Sequence, residues 1–218
     1  MTGFTAASSG DNSPVNAVAV RGFTLKWAGS PSYSIETARI PVSVEYEGDP
    51  AYFNVKPLTA TALTGLLSPL LAAVNPVNAQ LLCTERGIRV SETQRSGSGD
   101  YLNLIRVTVT TERRARTVAG TVFAGSKPRL VEIEGIPLEA ELGRHMLFVR
   151  NYDKPGFIGA LGQALGMAQI NIATFHLGRT APGEDAIALI EVDQPLTAEL
   201  IDTVRRLPNV IQAKAMRF

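Results

Sequence analysis

Between His145 and Phe218, the hydrophobic pattern of this chain leaves the two-residue period of a strand for the three-and-four spacing of a helix, returns, and then does both again. The segments read as strand HMLFVRN, loop YDKPG, helix FIGALGQALGMAQ, strand INIATFHLG, turn TAPGED, strand AIALIEVD, helix TAELIDTVRRL and strand VIQAKAMRF. Ile158, Leu161 and Leu165 share a face of the first helix, and Leu200, Ile201, Val204 and Leu207 share a face of the second. Strand-helix-strand-strand-helix-strand in so short a stretch points to the ferredoxin-like split βαβ arrangement, a four-stranded antiparallel sheet backed by two helices.

A different texture precedes it. Ile40, Val42, Val44 and Tyr46 alternate with polar residues before the turn Glu47-Gly48-Asp49-Pro50, which predicts a half-buried strand. Leu63, Leu66, Leu67, Leu70 and Leu71 then paint one face of a helix over 59–74, kinked or split by Pro69, and a short helix is expected over 78–85 with Gly87 as its stop. Ile88 and Val90 open a strand, Ile105, Val107 and Val109 mark another, and hairpins are expected between Val109 and Val118 and between Phe123 and Leu130. The sum is an α+β chain: a small mixed αβ domain over 35–142, its boundary near Pro137–Gly143 after its last strand, followed by the βαββαβ domain over 143–218. Residues 1–34, rich in Ser, Gly, Ala and Pro, read as a linker or lead-in whose only strand signal is Phe23, Leu25 and Trp27.

Composition narrows the functions. With 21 basic against 20 acidic residues the net charge is +1, so no general field draws the chain to nucleic acid or a membrane surface, and any anion site must be local. One cysteine excludes an internal disulfide framework and a multi-cysteine zinc site, and two histidines restrict metal binding further. The first residues show neither a basic leader nor a long apolar run, so the expected location is the cytoplasm. Gly97-Ser98-Gly99 lacks the third glycine of a dinucleotide fingerprint, and no nucleophile elbow, HExxH or Walker loop is present, so no catalytic residue, metal or cofactor is assigned to this chain. Cys83 reads as a small buried hydrophobe and His176 as a strand histidine satisfied locally. Arg113, Arg114 and Arg116 on one hairpin, with Lys127 and Arg129 on the next, read first as solvated turns.

The loop from Asn151 to Gly156 joins a strand end to a helix start, where free backbone N–H groups favour an anion. A zwitterion suits such a place: Asp153 would accept from an ammonium group, the helix N–H groups and the Asn171 amide would donate to a carboxylate, and Asn151 would meet a side-chain hydroxyl. The residues equally allow a plain role, with Asp153 capping the helix at the Gly156 N–H because Pro155 has none, and Asn171 only starting a strand. Gly156, Gly159, Gly162 and Gly166 line one strip of that helix, so something approaches it closely, the sheet beneath being the commonest candidate.

The segments KPLTATALTGLLSPLL, VNAQLLCTERGIRVSETQR, TVAGTVFAG and HMLFVRNYDKPGFIGALGQALGMAQINIATFHLGR, in order over residues 32–218, resemble the C-terminal half of long-form D-3-phosphoglycerate dehydrogenase. The resemblance implies an intervening, or allosteric-substrate-binding, domain followed by an ACT domain that binds L-serine at a dimer interface. It implies effector contacts at Asn151, Asp153 and Asn171, with Pro155 and Gly156 shaping the loop, and a candidate anion site at Lys127 and Arg129 in which other basic positions appear as Ile136 and Glu141. Asn151 stands where relatives often carry histidine or tyrosine. The family's NAD belongs to domains with no counterpart in these residues, so by itself the chain is expected not to oxidise phosphoglycerate. The implied partners are L-serine, further copies of the chain through both domains, and the catalytic domains of the parent enzyme. The alternative is an assembly module insensitive to ligand.

Overall fold

The alternation around Val42 becomes strand β1, Pro41–Gly48, with Val42, Val44 and Tyr46 turned into the core. This computed structural model describes residues 40–97, 99–111, 114–124 and 127–218; the expected lead-in over 1–34 and Arg113 lie outside them. Helix α1, Lys56–Leu67, starts earlier than the leucine spacing suggested because Pro57 sits in its first turn, where a missing N–H costs no hydrogen bond. It stops instead of kinking. Pro69 has no N–H to continue the ladder, and the Leu70 and Leu71 N–H groups both return to the Leu67 carbonyl at 2.9 Å.

Helix α2, Ala79–Glu85, ends at Gly87 with φ 67, and the chain enters β2, Arg89–Arg95. This helical crossover makes β2 parallel to β1. Strands β3, Asn103–Thr110, β4, Ala115–Phe123, and β5, Lys127–Ile133, follow as antiparallel neighbours through the expected hairpins. The stretch read as the boundary itself holds a strand: β6, Ile136–Glu141, pairs with β5 and buries Ile136, Leu138 and Ala140. The sheet order is β2-β1-β3-β4-β5-β6. Leu58, Leu63, Leu66 and Leu67 pack in one core with Val42, Val44 and Ile105, and Cys83 is buried there too, its thiol pushed up to about 11 by burial.

The C-terminal part has the expected split βαβ form: β7, His145–Tyr152; α3, Phe157–Met167; β8, Ile172–Arg179; β9, Asp185–Val192; α4, Ala198–Arg205; β10, Val210–Arg217. The sheet is antiparallel in the order β10-β7-β9-β8. Leu147, Val149 and Ile190 face Leu161, Leu165, Leu200 and Val204 of the helices. Phe157, rather than Ile158, completes the buried stripe of α3, and Ile158 is 56% exposed. Thr197 caps α4 by accepting from the Leu200 N–H at 3.3 Å.

The other face of this sheet is also covered. Met146, Phe148, Ile187, Leu189 and Met216 join Ile136, Leu138 and Ala140 in one core cluster with the first sheet. That explains why β7 and β9 carry continuous apolar runs instead of alternation: both of their faces are buried. The two sheets come close at Gly178 on β8, where a Cβ would stand 2.3 Å from the Pro137 carbonyl oxygen. Among the described residues no helix is long and apolar enough to cross a membrane.

Candidate functional site

Helix α3 begins on Gly156, whose φ of 93 is a left-handed conformation open mainly to glycine. No side chain caps this helix start, so the N–H groups of Phe157, Ile158 and Gly159 are without intrahelical acceptors, while Ala160 N–H bonds the Gly156 carbonyl at 2.9 Å. A capping role for Asp153 is therefore overturned. Its Oδ2 instead accepts from Arg179 Nη1 at 2.7 Å and from the Gly183 N–H at 3.4 Å. The hydrogen bond from Arg179 holds the Asp153 carboxyl below its ordinary value against the opposing effect of desolvation, with a lesser contribution from the Gly183 N–H.

The helix start opens on a cavity of about 700 Å³ whose wall includes Asn151, Asp153, Lys154, Gly156 and Arg179. Asn151 is 1% exposed. On β7 it follows Leu147 and Val149 on the helix side of the sheet; its Nδ2 donates to the Tyr152 carbonyl at 2.8 Å, and its Oδ1 is covered and has no partner. A buried amide oxygen left unpaired is costly, and a ligand donor at this wall would satisfy it. Helix N–H groups, Arg179 and Lys154 favour an anionic group in the same cavity, and Asp153 and Asn151 offer acceptors. The set suits a small zwitterion.

Not every residue expected at this site is there. Asn171 precedes β8, whereas Arg179 ends it, so the two lie about 26 Å apart along the strand at ~3.3 Å per residue. The Asn171 amide donates to Asp193 Oδ2 at 2.8 Å. Within one chain, then, Asn171 does not reach Asp153. Arg179 is the residue that sequence reasoning missed; its signal was a single charge ending an otherwise uncharged strand, and only the fold of β8 beside the Asn151–Gly156 loop gives it meaning.

Other expectations change as well. The glycine strip of α3 does not lie on the sheet: a Cβ at Gly156, Gly159, Gly162 or Gly166 would meet nothing within 4 Å, because Phe157, Leu161 and Leu165 occupy the sheet-facing side. His176 is not satisfied locally at Nε2, which is covered and unpartnered, as is Thr174 Oγ1 on the same side of β8 as Gly178, the side that β6 crosses. At the candidate anion position Arg129 bonds Glu141 across the β5–β6 pair and lies over the Phe123 ring, 5.4 Å from its centroid, while Lys127 is exposed at the start of β5. An anion there would compete with Glu141.

Two family models match the chain: the D-3-phosphoglycerate dehydrogenase intervening domain over residues 29–134 and the ACT domain over residues 145–209. The D-3-phosphoglycerate dehydrogenase of Bacillus subtilis is 34% identical over 174 residues, that of Synechocystis 32% over 179, and that of Methanocaldococcus jannaschii 31% over 170. These alignments cover 79%, 81% and 78% of this chain but 33%, 32% and 32% of the relatives. The chain thus spans about a third of the length of the relatives it matches.

Proposed function

Because the chain is built from a D-3-phosphoglycerate dehydrogenase intervening domain followed by an ACT domain, we propose that it is a regulatory and oligomerisation portion of such an enzyme and binds L-serine as a feedback effector. The observation that carries this reading is the unpartnered Asn151 Oδ1 in the wall of a cavity that also holds an uncapped helix start and Asp153. The ligand carboxylate sits at the α3 N–H groups, its ammonium group beside Asp153, and its hydroxyl donates to Asn151.

The position of Asn171 supports an interface site. β8 ends the sheet order, and no strand among the described residues pairs with its outer edge. Two copies joined antiparallel through β8 by a two-fold axis would bring Asn171 of one to the Arg179 end of the other. The open glycine strip of α3, with Ile158 and Met167 exposed beside it, gives the second copy a surface on which to pack. Effector control then follows if serine binds one arrangement of the copies better than another. NAD and phosphoglycerate belong, on this reading, to catalytic domains of the parent enzyme.

One observation favours a second reading, an assembly module insensitive to amino acids: Arg179 already occupies the Asp153 carboxylate. Thermal unfolding with L-serine, against D-serine and glycine, separates the two when run beside a sizing measurement. A shift selective for L-serine in a dimer or larger species is expected, and Asn171→Ala should weaken binding by about 1.5–3 kcal/mol through loss of a hydrogen bond to a charged group. A stable oligomer indifferent to all three amino acids would leave the assembly module.

A further inference from the structure

Strand register sets the floor of the cavity at the start of α3. Asn151 of β7 and Arg179 of β8 both pair with Ala186 of β9, the strand between them, so the three residues form one row across the sheet. Two strand spacings put the outer pair about 10 Å apart at their Cα atoms. Both face the helix side, since Asn151 follows Leu147 and Val149 there and Arg179 alternates with Phe175. Only the methyl group of Ala186 stands between them, and it leaves open the space that a larger side chain would fill. Asn151 Oδ1, buried and unpartnered, ends this row on one side, and the Arg179 guanidinium ends it on the other.

The walls hold more donors than acceptors. Arg179 gives Nη1 to Asp153, while its Nε and Nη2 make no hydrogen bond among the described residues. Lys154 and the free N–H groups of Phe157, Ile158 and Gly159 line the same cavity. Against two cations and a helix start stands one carboxylate, Asp153. Glu184, on the hairpin beyond, accepts from the Thr180 hydroxyl at 3.1 Å and is not part of the wall. A zwitterion without net charge leaves one cation and the helix start unbalanced, whereas a ligand with one further negative charge balances them.

We propose that this cavity favours an amino acid whose side chain ends in an anionic group, a carboxylate or a phosphate ester, and that Arg179 is the residue that selects it, an inference that rests on reading the cavity as an amino-acid effector site. Arg179 serves two acceptors at once: Nη1 stays on Asp153, and Nε and Nη2 meet the side-chain anion in the fork geometry of a guanidinium. The ligand carboxylate takes the α3 N–H groups. An ionised side chain brings no hydrogen for Asn151 Oδ1, so the ammonium group serves both that oxygen and Asp153 Oδ1. A neutral side chain leaves the Arg179 donors unused, and selection follows from that difference.

The test measures binding to the full chain by titration calorimetry at fixed pH and ionic strength, with two matched pairs: L-serine against O-phospho-L-serine, and L-asparagine against L-aspartate. In each pair the anionic member should bind about tenfold tighter or more, the scale of one hydrogen bond to a charged group. Arg179→Gln should bring each pair to near equality, and L-serine should bind that variant at least as tightly as the parent, because Asp153 is then released to the ammonium group. An advantage for either anionic member that Arg179→Gln removes supports Arg179 as the selecting residue. If L-serine binds and neither anionic member gains, or if the gain survives in Arg179→Gln, the selection is overturned and the L-serine site stands. A variant that loses all four amino acids alike makes Arg179 a structural residue and also overturns it. If none of the four binds the parent, the reading of the cavity as an effector site falls as well.

Discussion

Arg150 and Asn151 are neighbours on β7, yet they belong to two regions built on opposite principles. On the Arg150 side, charges are interlocked and partly shielded: Glu134 is 13% and Arg150 22% exposed, and the sheets meet so closely that Gly178 has no room for a side chain. On the Asn151 side, the Asp153–Arg179 ion pair stands at an open rim, with Arg179 53% exposed, above a helix start that no side chain caps. The first region spends its carboxylates on joining the two sheets, Glu134 serving both Arg114 and Arg150. The second leaves donors and an acceptor unused, which is what a ligand requires. Substitutions in the seam should therefore alter stability, and those in the pocket should alter ligand response with little change in stability.

The strongest way to break the contrast is Gly178→Val. Its Cβ would meet the Pro137 carbonyl at 2.3 Å and Ile136 Cγ2 at 2.9 Å, and the first of these is backbone that cannot rotate away. We expect a loss of about 3 kcal/mol or more, as for severe overpacking, read from the urea midpoint. A near-neutral result would mean that β6 is free to leave β8. Next comes Arg150→Met, which strips Glu134 and Asp185 of a shared partner. Since these groups are only partly shielded, a loss of about 2 kcal/mol is expected in chloride buffer, between the values for surface and for buried pairs. A loss below about 0.5 kcal/mol would put the seam in the same class as the pocket rim.

The same contrast explains what could be read from the sequence. The C-terminal fold was legible because each element there carries its own period and its own turn residues, down to Gly156 before α3. The first sheet was legible where apolar and polar residues alternate, as along Val42, Val44 and Tyr46. β6 was not assigned although Ile136, Leu138 and Ala140 alternate with Pro137, Glu139 and Glu141, because two glutamates and a proline in so short a run look like a linker. Its burial comes from the second sheet, a tertiary fact. At the pocket, the loop's place before a helix marked Asn151 and Asp153 as candidates, while the same residues equally allowed Asp153 a plain capping role. The pairing of Asp153 with Arg179 was not, for it depends on β8 returning beside a loop more than twenty residues earlier in the chain. The seam was invisible for the same reason: Glu134 and Arg150 meet only because the two sheets pack, and nothing local marks Lys214 Nζ as covered.

Asn151→Leu sharpens the comparison from the pocket side. It removes an amide whose oxygen has no partner and whose nitrogen bonds a neighbouring carbonyl, so the gain of relieving one and the loss of the other should nearly cancel, within ~1 kcal/mol. The L-serine-selective shift should vanish in the same variant. A large stability loss would show that Asn151 serves the fold, and a retained serine response would move the ligand elsewhere.

The smallest expected effect concerns Asp153. The hydrogen bond from Arg179 holds its carboxyl below the ordinary 3.8. A group whose folded value is depressed contributes stability that is present above its unfolded value and lost as pH falls through the folded one. Asp153→Asn should therefore differ slightly from the parent at neutral pH and converge with it in acid, below the depressed value. Because the pair stands at an exposed rim, the difference should be small and should shrink with added salt. Carbon-13 titration of the Asp153 carboxyl gives the direct reading: a midpoint below 3.8 in the parent, returning toward that value in Arg179→Gln. A parent midpoint at the ordinary value would mean that Arg179 does not hold Asp153 in solution, leaving the carboxylate open to a ligand ammonium and weakening the case for a module that ignores amino acids.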